Sequence, residues 1–165
     1  MNGPTNDRNT NVDTWKAKAE ERDSNIVIHG LDETNCNKID QTKIKNLFNI
    51  VEVQLKPQVS YRLGMKEEGK KRPLLVKLPS KIERDNVMSN MWRLKNSMNA
   101  NERVSVTYDC TLEERRKIKE YVDEAKRRNT TAKNDNDRKD VYAWKVRGTP
   151  KTKLRIVKIR QQTEE

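Results

Sequence analysis

Residues 25–31 have the sequence NIVIHGL, in which three β-branched residues in a row are followed by a histidine and a glycine. Runs of β-branched residues favour strands, and a glycine at their end marks a turn. This stretch therefore predicts a strand. Strand patterns recur at residues 59–63, 73–78 and 103–108, which predict three more strands.

Two helices are predicted between these strands. Asp40 is expected to cap the first helix. Its apolar residues recur at i, i+3, i+4 and i+7 and are Ile44, Leu47, Phe48 and Val51. Ser80 and Glu83 form a capping box at the start of the second helix. The residues of this helix expected to face inward are Val87, Met88, Met91 and Leu94. The order βαββαβ is the ferredoxin-like split arrangement that RNA recognition motifs also use.

One face of such a sheet packs on the helices and the other stays open. Side chains alternate between the two faces along each strand. The set expected to face the helices is Ile26, Ile28, Val59, Tyr61, Leu74, Val76, Val104 and Val106. The set expected on the open face is Val27, His29, Ser60, Arg62, Leu75, Lys77, Arg103, Ser105 and Thr107. The open face is therefore predicted to be polar and basic.

A helix and a hairpin are predicted in the C-terminal third. Thr111 and Glu114 form a capping box for a helix that is expected to run to about Arg128. Its apolar stripe is Ile118, Tyr121, Val122 and Ala125. A ridge of cations beside the stripe consists of Arg115, Lys119 and Lys126. Residues 141–160 alternate apolar and basic side chains on either side of a Gly-Thr-Pro turn, which predicts a basic β-hairpin.

These patterns predict an α+β protein with two small domains. Residues 24–109 form the domain that resembles an RNA recognition motif, and residues 110–160 form the domain of one helix and a hairpin. Residues 1–23 are expected to be a disordered segment followed by a short charged helix, which could be the end of a coiled coil. Residues 161–165 are a tail.

The positive charge of the chain is concentrated in two segments. The 165 residues contain 36 Lys or Arg and 25 Asp or Glu, for a formal net charge of +11. Residues 141–160 hold seven cations and no acid, and residues 61–80 hold six cations and two acids. The net charges of the two segments therefore add up to the net charge of the whole chain. Clustered positive charge on predicted strands is typical of a surface that binds a polyanion, most often nucleic acid.

Composition argues against several other classes of protein. No apolar run approaches the ~20 residues that cross a bilayer, and no leader opens the chain, so an intracellular protein without a membrane partner is expected. Cys36 and Cys110 are isolated, which predicts neither a disulfide nor a zinc site. His29 has no partners for a catalytic triad, and Asp32 and Glu33 alone do not form a two-metal nuclease site. No catalytic residue, metal or cofactor is predicted.

The predicted sheet lacks the aromatic platform on which RNA recognition motifs stack bases. Val27, Pro73 and Leu75 occupy the positions where aromatic residues are expected. Trp92, Tyr142 and Trp144 are interpreted as packing residues. Affinity is then expected to come from phosphate contacts with little base recognition. The residues predicted to make them are Arg62, Lys71, Arg72, Lys77, Arg103, Arg115, Arg116, Lys119, Lys145, Arg147 and Arg155. The alternative for any one lysine is a solvated charge without a ligand.

Five motifs, taken together and in order, resemble the RNA-binding protein encoded by the first open reading frame of LINE-type non-LTR retrotransposons. They are residues 25–31 (NIVIHGL), 61–64 (YRLG), 72–77 (RPLLVK), 111–116 (TLEERR) and 144–150 (WKVRGTP). The resemblance extends over about residues 22–159. The same pair of domains also resembles the C-terminal part of the baculovirus FP (few polyhedra) proteins.

The resemblance implies a specific function. Proteins of the LINE family trimerise through a coiled coil, coat their own RNA and act as nucleic-acid chaperones. It implies that Arg62, Arg115 and Arg116 contact RNA and that the C-terminal domain clamps the RNA against the first domain with Arg147 and Arg155. A cytoplasmic ribonucleoprotein, with the nucleus as a second compartment, is then expected. A long coiled coil for the homotrimer is largely absent from this sequence. A viral or domesticated scaffold protein of the FP type, which binds a protein partner, is the alternative.

Overall fold

A computed structural model describes residues 20–34, 36–97, 103–134 and 142–160. The chain divides into two compact units, Met1–Asp109 and Cys110–Glu165. Residues 20–23 form a helical turn, whereas the rest of the predicted N-terminal segment and the tail at 161–165 lie outside the described residues.

Unit 1 contains a four-stranded antiparallel sheet and three helices among its described residues. In chain order these elements are β1 (Asn25–His29), α1 (Asn37–Ile50), β2 (Val59–Arg62), β3 (Leu74–Lys77), α2 (Lys81–Asn90), α3 (Trp92–Ser97) and β4 (Ser105–Tyr108). The strand order is β2-β3-β1-β4. Strand β1 is central because it pairs with both β3 and β4. The prediction of an α+β protein is confirmed.

The core of unit 1 lies between this sheet and the helices. Ile26 and Ile28 of β1 are fully buried, and their register partners on β3 are Val76 and Leu74, which are buried with them. The predicted apolar stripe of α1 is confirmed, because Ile44, Leu47, Phe48 and Val51 all belong to this core. Burial of β-branched and aliphatic side chains on one face of a sheet is the main source of stability for a domain of this size.

The prediction for the two faces of β2 was wrong. Ser60 pairs with Val76 and Arg62 pairs with Leu74, so Ser60 and Arg62 lie on the helix side. Val59 and Tyr61 are 49% and 47% exposed. A shift of one residue moves every side chain of a strand to the other face. The physical reason for this register is the buried partner of Arg62, described below.

The centre of the sheet face that points away from the helices also differs from the prediction. Val27 and Leu75 are paired across β1 and β3 and are only 7% and 5% exposed. The predicted open, polar and basic face is therefore apolar and closed at its middle, with His29 and Lys77 at the ends of the strands.

Two helix boundaries in unit 1 also differ from the predictions. Helix α1 begins at Asn37 with Cys36 in the N-cap position, so Asp40 lies in the first turn and is not the cap. The Ser80 capping box is confirmed, since Ser80 Oγ accepts a hydrogen bond from the Glu83 amide at 3.2 Å. The second predicted helix is divided at Met91 into α2 and α3.

Asp40 and Arg62 form a buried ion pair between α1 and β2. Each side chain is 6% exposed, and Arg62 Nη2 lies 2.7 Å from Asp40 Oδ1. Arg62 Nε donates to Asp40 Oδ2 at 3.0 Å, and the remaining N–H groups donate to the carbonyls of Leu31, Asp32 and Arg72 at 2.9 Å. All five guanidinium donors are used. Arg62 therefore joins β2, α1 and the loop after β1.

Unit 2 consists of one long helix and a two-stranded hairpin among its described residues. They are α4 (Leu112–Asn134), β5 (Tyr142–Arg147) and β6 (Arg155–Arg160). The Thr111 capping box is confirmed, with hydrogen bonds from the Glu114 amide to Thr111 Oγ1 and from the Thr111 amide to the Glu114 carboxylate. The helix extends past the predicted end at Arg128 to Asn134, and the hydroxyls of Thr130 and Thr131 donate hydrogen bonds to backbone carbonyls four residues earlier.

The predicted hairpin is confirmed, and a glycine closes it. Strands β5 and β6 pair from Tyr142↔Arg160 to Arg147↔Arg155. Gly148 follows β5 with φ +88°, and a Cβ at that position would lie 2.1 Å from the carbonyl oxygen of Lys153. Only glycine accepts this conformation and this contact without strain.

Asn129 of α4 binds the outer edge of β5. Its side-chain amide accepts a hydrogen bond from the Trp144 amide at 2.7 Å and donates to the Trp144 carbonyl at 2.9 Å. An edge strand presents unpaired backbone groups of this kind. One helix side chain therefore takes the place of a neighbouring strand and fixes Trp144 against α4.

We expect Asp40→Ala to destabilise unit 1 by about 3–5 kcal/mol, because it leaves a buried arginine without its counter-ion. The matched control is Glu67→Ala, which breaks the Lys70–Glu67 pair, with side chains 73% and 57% exposed, and should change the stability by about 0–1 kcal/mol. Urea unfolding of the two variants measures both values. Equal stability of the two variants would contradict the structural role of Arg62.

Candidate nucleic-acid interface

The four cations predicted to contact phosphate on β2, on β3 and in the loop between them are all paired with acids of unit 1. Arg62 is bound by Asp40, as described. The pairs made by the other three are Lys71–Asp32 at 2.5 Å, Arg72–Glu33 at 2.5 Å, and Lys77–Glu21. A phosphate would have to displace a carboxylate at each of them. The prediction that these residues bind nucleic acid stays a prediction, and the structure gives each of them a local partner.

The pKa values of unit 1 reflect this pairing. The hydrogen bond from Lys71 lowers the pKa of the Asp32 carboxyl, and the Lys71 charge lowers it further. The hydrogen bond from Arg72 lowers the pKa of Glu33 in the same way. The pKa of the Lys77 ammonium is raised by its hydrogen bond to Glu21. Opposite charges that stabilise each other's ionised forms have these effects.

Arg103 is the remaining predicted contact residue of unit 1. It is exposed just before β4, and no ion pair to it occurs among the described residues. Its carbonyl oxygen would lie 2.1 Å from a Cβ on Gly30, which has φ +82°. Gly30 therefore allows the loop after β1 to pass close to the backbone of Arg103.

The predicted contact residues of unit 2 have no acidic partners among the described residues. Arg115, Arg116 and Lys119 are exposed on α4. The other three, Lys145, Arg147 and Arg155, are exposed and lie on one face of the hairpin. Lys145 and Arg147 alternate with Trp144 and Val146 along β5, so they project from the same face, and Arg155 of β6 is the register partner of Arg147. Within the part of the chain that the structure describes, none of the six forms an ion pair. We call the three hairpin residues, Lys145, Arg147 and Arg155, the basic face.

Two arginines are directly opposite each other on the basic face. Arg147 and Arg155 are a register pair of the antiparallel hairpin. Side chains in such pairs have Cβ atoms about 4.5–5.5 Å apart, and like charges there are destabilising. A pair of arginines at this distance can hold a phosphate between two guanidinium groups, each of which can donate two parallel hydrogen bonds.

The charge of the chain is unequally divided between the two units. Unit 2 carries 17 Lys or Arg against 10 Asp or Glu, whereas the much longer unit 1 carries 19 against 15. Most of the net positive charge therefore lies in the last third of the chain. The implied clamping of RNA by the C-terminal domain against the first domain stays a prediction.

Glu124 forms ion pairs with the two arginines that follow it on α4. Arg127 Nε and Arg128 Nε each donate to its carboxylate at 2.7 Å. The hydrogen bond from Arg127 has the larger effect and that from Arg128 the next, and together they lower the pKa of Glu124 to about 2. Glu113 similarly binds Lys117 at 3.1 Å. These acids bind cations other than Arg115, Arg116 and Lys119.

The other face of the hairpin carries two aromatic rings. Tyr142 and Trp144 share this face with their register partners Arg160 and Lys158. Lys158 Nζ lies 5.1 Å from the centre of the Tyr142 ring, and Arg128 Cζ of α4 lies 5.1 Å from that of Trp144. We call these five residues the aromatic face. The interpretation of the aromatic residues as packing was wrong for Tyr142, which is 46% exposed, and for Trp92, which is 58% exposed.

Other chemistry finds little support among the described residues. His29 Nε2 contacts Thr107 Oγ1 at 3.1 Å, and its partial burial lowers its pKa. No group of three or more His, Cys, Asp or Glu residues that could hold a metal occurs in the described ranges. Within the same residues, no helix has the length and apolarity that a bilayer span requires.

Sequence comparisons do not assign this arrangement to a family. No protein-family model matches the chain, and no curated protein is significantly similar to it.

We expect the contribution of Glu124 to stability to depend on pH. Its pKa is depressed from 4.5 to about 2 in the folded chain, so its stabilising effect is present above about pH 4.5 and is lost as the pH falls towards 2. The stability difference between the wild type and Glu124→Gln should therefore shrink over that range. Thermal unfolding measured at several pH values tests this. Glu120→Gln, on the same helix, is the matched control, and the same pH dependence for both variants would contradict the prediction.

Proposed function

We propose that this chain is a non-enzymatic protein that binds single-stranded nucleic acid, RNA in particular, with little sequence preference. The observation that carries the proposal is the Arg147–Arg155 pair, in which two exposed arginines are opposite each other and, among the residues that the structure describes, neither has an acidic partner. Such a pair opposes folding of the hairpin unless an anion binds it. The phosphates of a nucleic acid are anions that accept such paired hydrogen bonds from arginine.

The helix supports the same proposal by adding cations on the basic side. Asn129 meets the edge of β5 and Arg128 lies over Trp144 on the aromatic face. The ridge of Arg115, Lys119 and Lys126 is ~140–180° around the helix from Arg128. We infer that this ridge flanks the basic face, so that the ridge and the basic face form one continuous cationic surface.

Unit 1 contributes less to phosphate binding in this proposal. Its cations at positions 62, 71, 72 and 77 are already neutralised by acids. Displacing a carboxylate from an ion pair offsets part of what a phosphate contact contributes. Arg103 is the residue of this unit that the proposal retains.

A variant RNA recognition motif is the finer description that we propose for unit 1. The strand order β2-β3-β1-β4 and the element order β-α-β-β-α-α-β support a ferredoxin-like arrangement. The positions where such motifs carry stacking aromatics are occupied by Val27 and Leu75, which are nearly buried. Base stacking on this sheet is therefore not part of the proposal.

The wider role rests on the resemblance to LINE-type proteins. We propose that the chain forms a ribonucleoprotein and acts as a nucleic-acid chaperone of such an element, in the cytoplasm and in the nucleus. Homotrimerisation through an N-terminal coiled coil is part of the same proposal. A scaffold protein of the FP type would use the same basic face to bind an acidic protein.

Salt dependence tests the proposal most simply. The affinity for a single-stranded RNA should fall with salt at a slope of about 0.7 per phosphate neutralised. The double variant Arg147→Ala, Arg155→Ala should weaken binding to all sequences about equally and reduce the slope. The matched control, Lys70→Ala with Lys71→Ala, removes two exposed cations of unit 1 and should have little effect.

Three results would contradict the proposal. A binding constant that does not depend on salt excludes phosphate recognition. An equal loss of affinity in the control variant removes the basic face as the site. Absence of RNA binding at physiological salt, together with binding of an acidic protein, favours the scaffold alternative, and metal-dependent cleavage of the probe indicates a nuclease.

A further inference from the structure

We propose that the aromatic face of the hairpin, which consists of Tyr142, Trp144, Lys158, Arg160 and Arg128, is a stacking site for unpaired nucleobases. This proposal rests on the proposed function and makes it more specific. It assigns base contacts to unit 2, where the sequence predicted only phosphate contacts. The ligand it requires is a single strand whose bases are accessible.

The composition of the aromatic face fits this ligand. Tyr142 and Trp144 are two residues apart on β5 and therefore project from the same side of the hairpin. Tyr142 is 46% exposed. Aromatic rings interleaved with cations are the common platform of proteins that bind single strands without sequence preference. Unpaired bases also stack on guanidinium planes, which Arg128 and Arg160 supply.

The position of Trp144 is fixed before any ligand binds. Asn129 holds both backbone polar groups of Trp144 by hydrogen bonds of 2.7 and 2.9 Å. Arg128, the preceding residue on α4, lies over the indole with its Cζ 5.1 Å from the ring centre. Glu124 holds Arg128 in turn, by a hydrogen bond of 2.7 Å. A ring held on rigid elements loses little conformational entropy when a base stacks on it.

The two faces of the hairpin bind different parts of a nucleic acid. The basic face presents cations for phosphates, and the aromatic face presents rings for bases. A single strand is flexible enough to contact both faces of a two-stranded hairpin, whereas duplex DNA is stiff over about 150 base pairs. The arrangement therefore selects unpaired nucleic acid. Stacking accepts every base, which agrees with weak sequence preference.

The test compares two probes that differ only in their bases, a short oligouridylate and an abasic strand of equal length. In the full chain, Tyr142→Leu should weaken binding of oligouridylate by about 5- to 100-fold. Its affinity for the abasic strand should be unchanged. The matched control is Trp92→Leu, which removes an exposed ring that also has an arginine over it, Arg93 at 4.9 Å, and should change neither affinity.

A second measurement does not require removal of any residue from the aromatic face. The chain has three tryptophans, so a Trp15→Phe, Trp92→Phe variant leaves Trp144 as the sole indole. Its fluorescence should be quenched by oligouridylate and not by the abasic strand.

The outcomes separate this proposal from the proposed function. Equal losses of affinity for both probes in Tyr142→Leu, or quenching by both, would overturn base stacking and leave nucleic-acid binding intact. An unchanged affinity for oligouridylate together with unquenched Trp144 would also overturn it. Failure of the wild-type chain to bind either probe would overturn both proposals.

Discussion

The buried Arg62–Asp40 pair is the interaction on which unit 1 depends. It joins an edge strand to the first helix and satisfies three backbone carbonyls of the surrounding loops. An arginine can occupy a site that is almost fully buried only if its charge is neutralised and its donors are used. This requirement determines which face of β2 is turned to the helices. Removal of either partner would leave an uncompensated charge within the fold.

The distribution of acids then determines which cations are available to an anionic ligand. In unit 1 the loop after β1 brings Asp32 and Glu33 to the cations that follow β2, and Glu21 reaches Lys77. In unit 2 the acids of α4 bind Lys117, Arg127 and Arg128. The cations of the basic face have no acid of this kind within the described residues. The two units therefore differ in the availability of their cations more than in the number of cations.

Local patterns predicted the elements of the fold because each of them is encoded within a few residues. The capping boxes at Ser80 and Thr111 and the stripe of α1 are examples, and all three are confirmed. The orientation of β2 was not predictable in this way, because a Val-Ser-Tyr-Arg strand has its more apolar residues on the side that proves to be exposed.

The candidate site was predictable only in part, because pairing of charges is a long-range property. Arg72 and Glu33 are 39 residues apart, and Lys77 and Glu21 are 56 apart. The sequence shows where cations are, and it does not show which of them meet an acid in the folded chain. The contact of Asn129 with β5 could not be predicted, because a single amide on a helix does not indicate a hydrogen bond to a strand residue 15 positions later.

Amide chemical shifts of the full chain, recorded while a single-stranded RNA is added, show directly which unit binds it. We expect the largest changes in β5, β6 and the first turns of α4, and little change at the amides of residues 70–77. Changes concentrated at residues 70–77, with the hairpin unaffected, would contradict it.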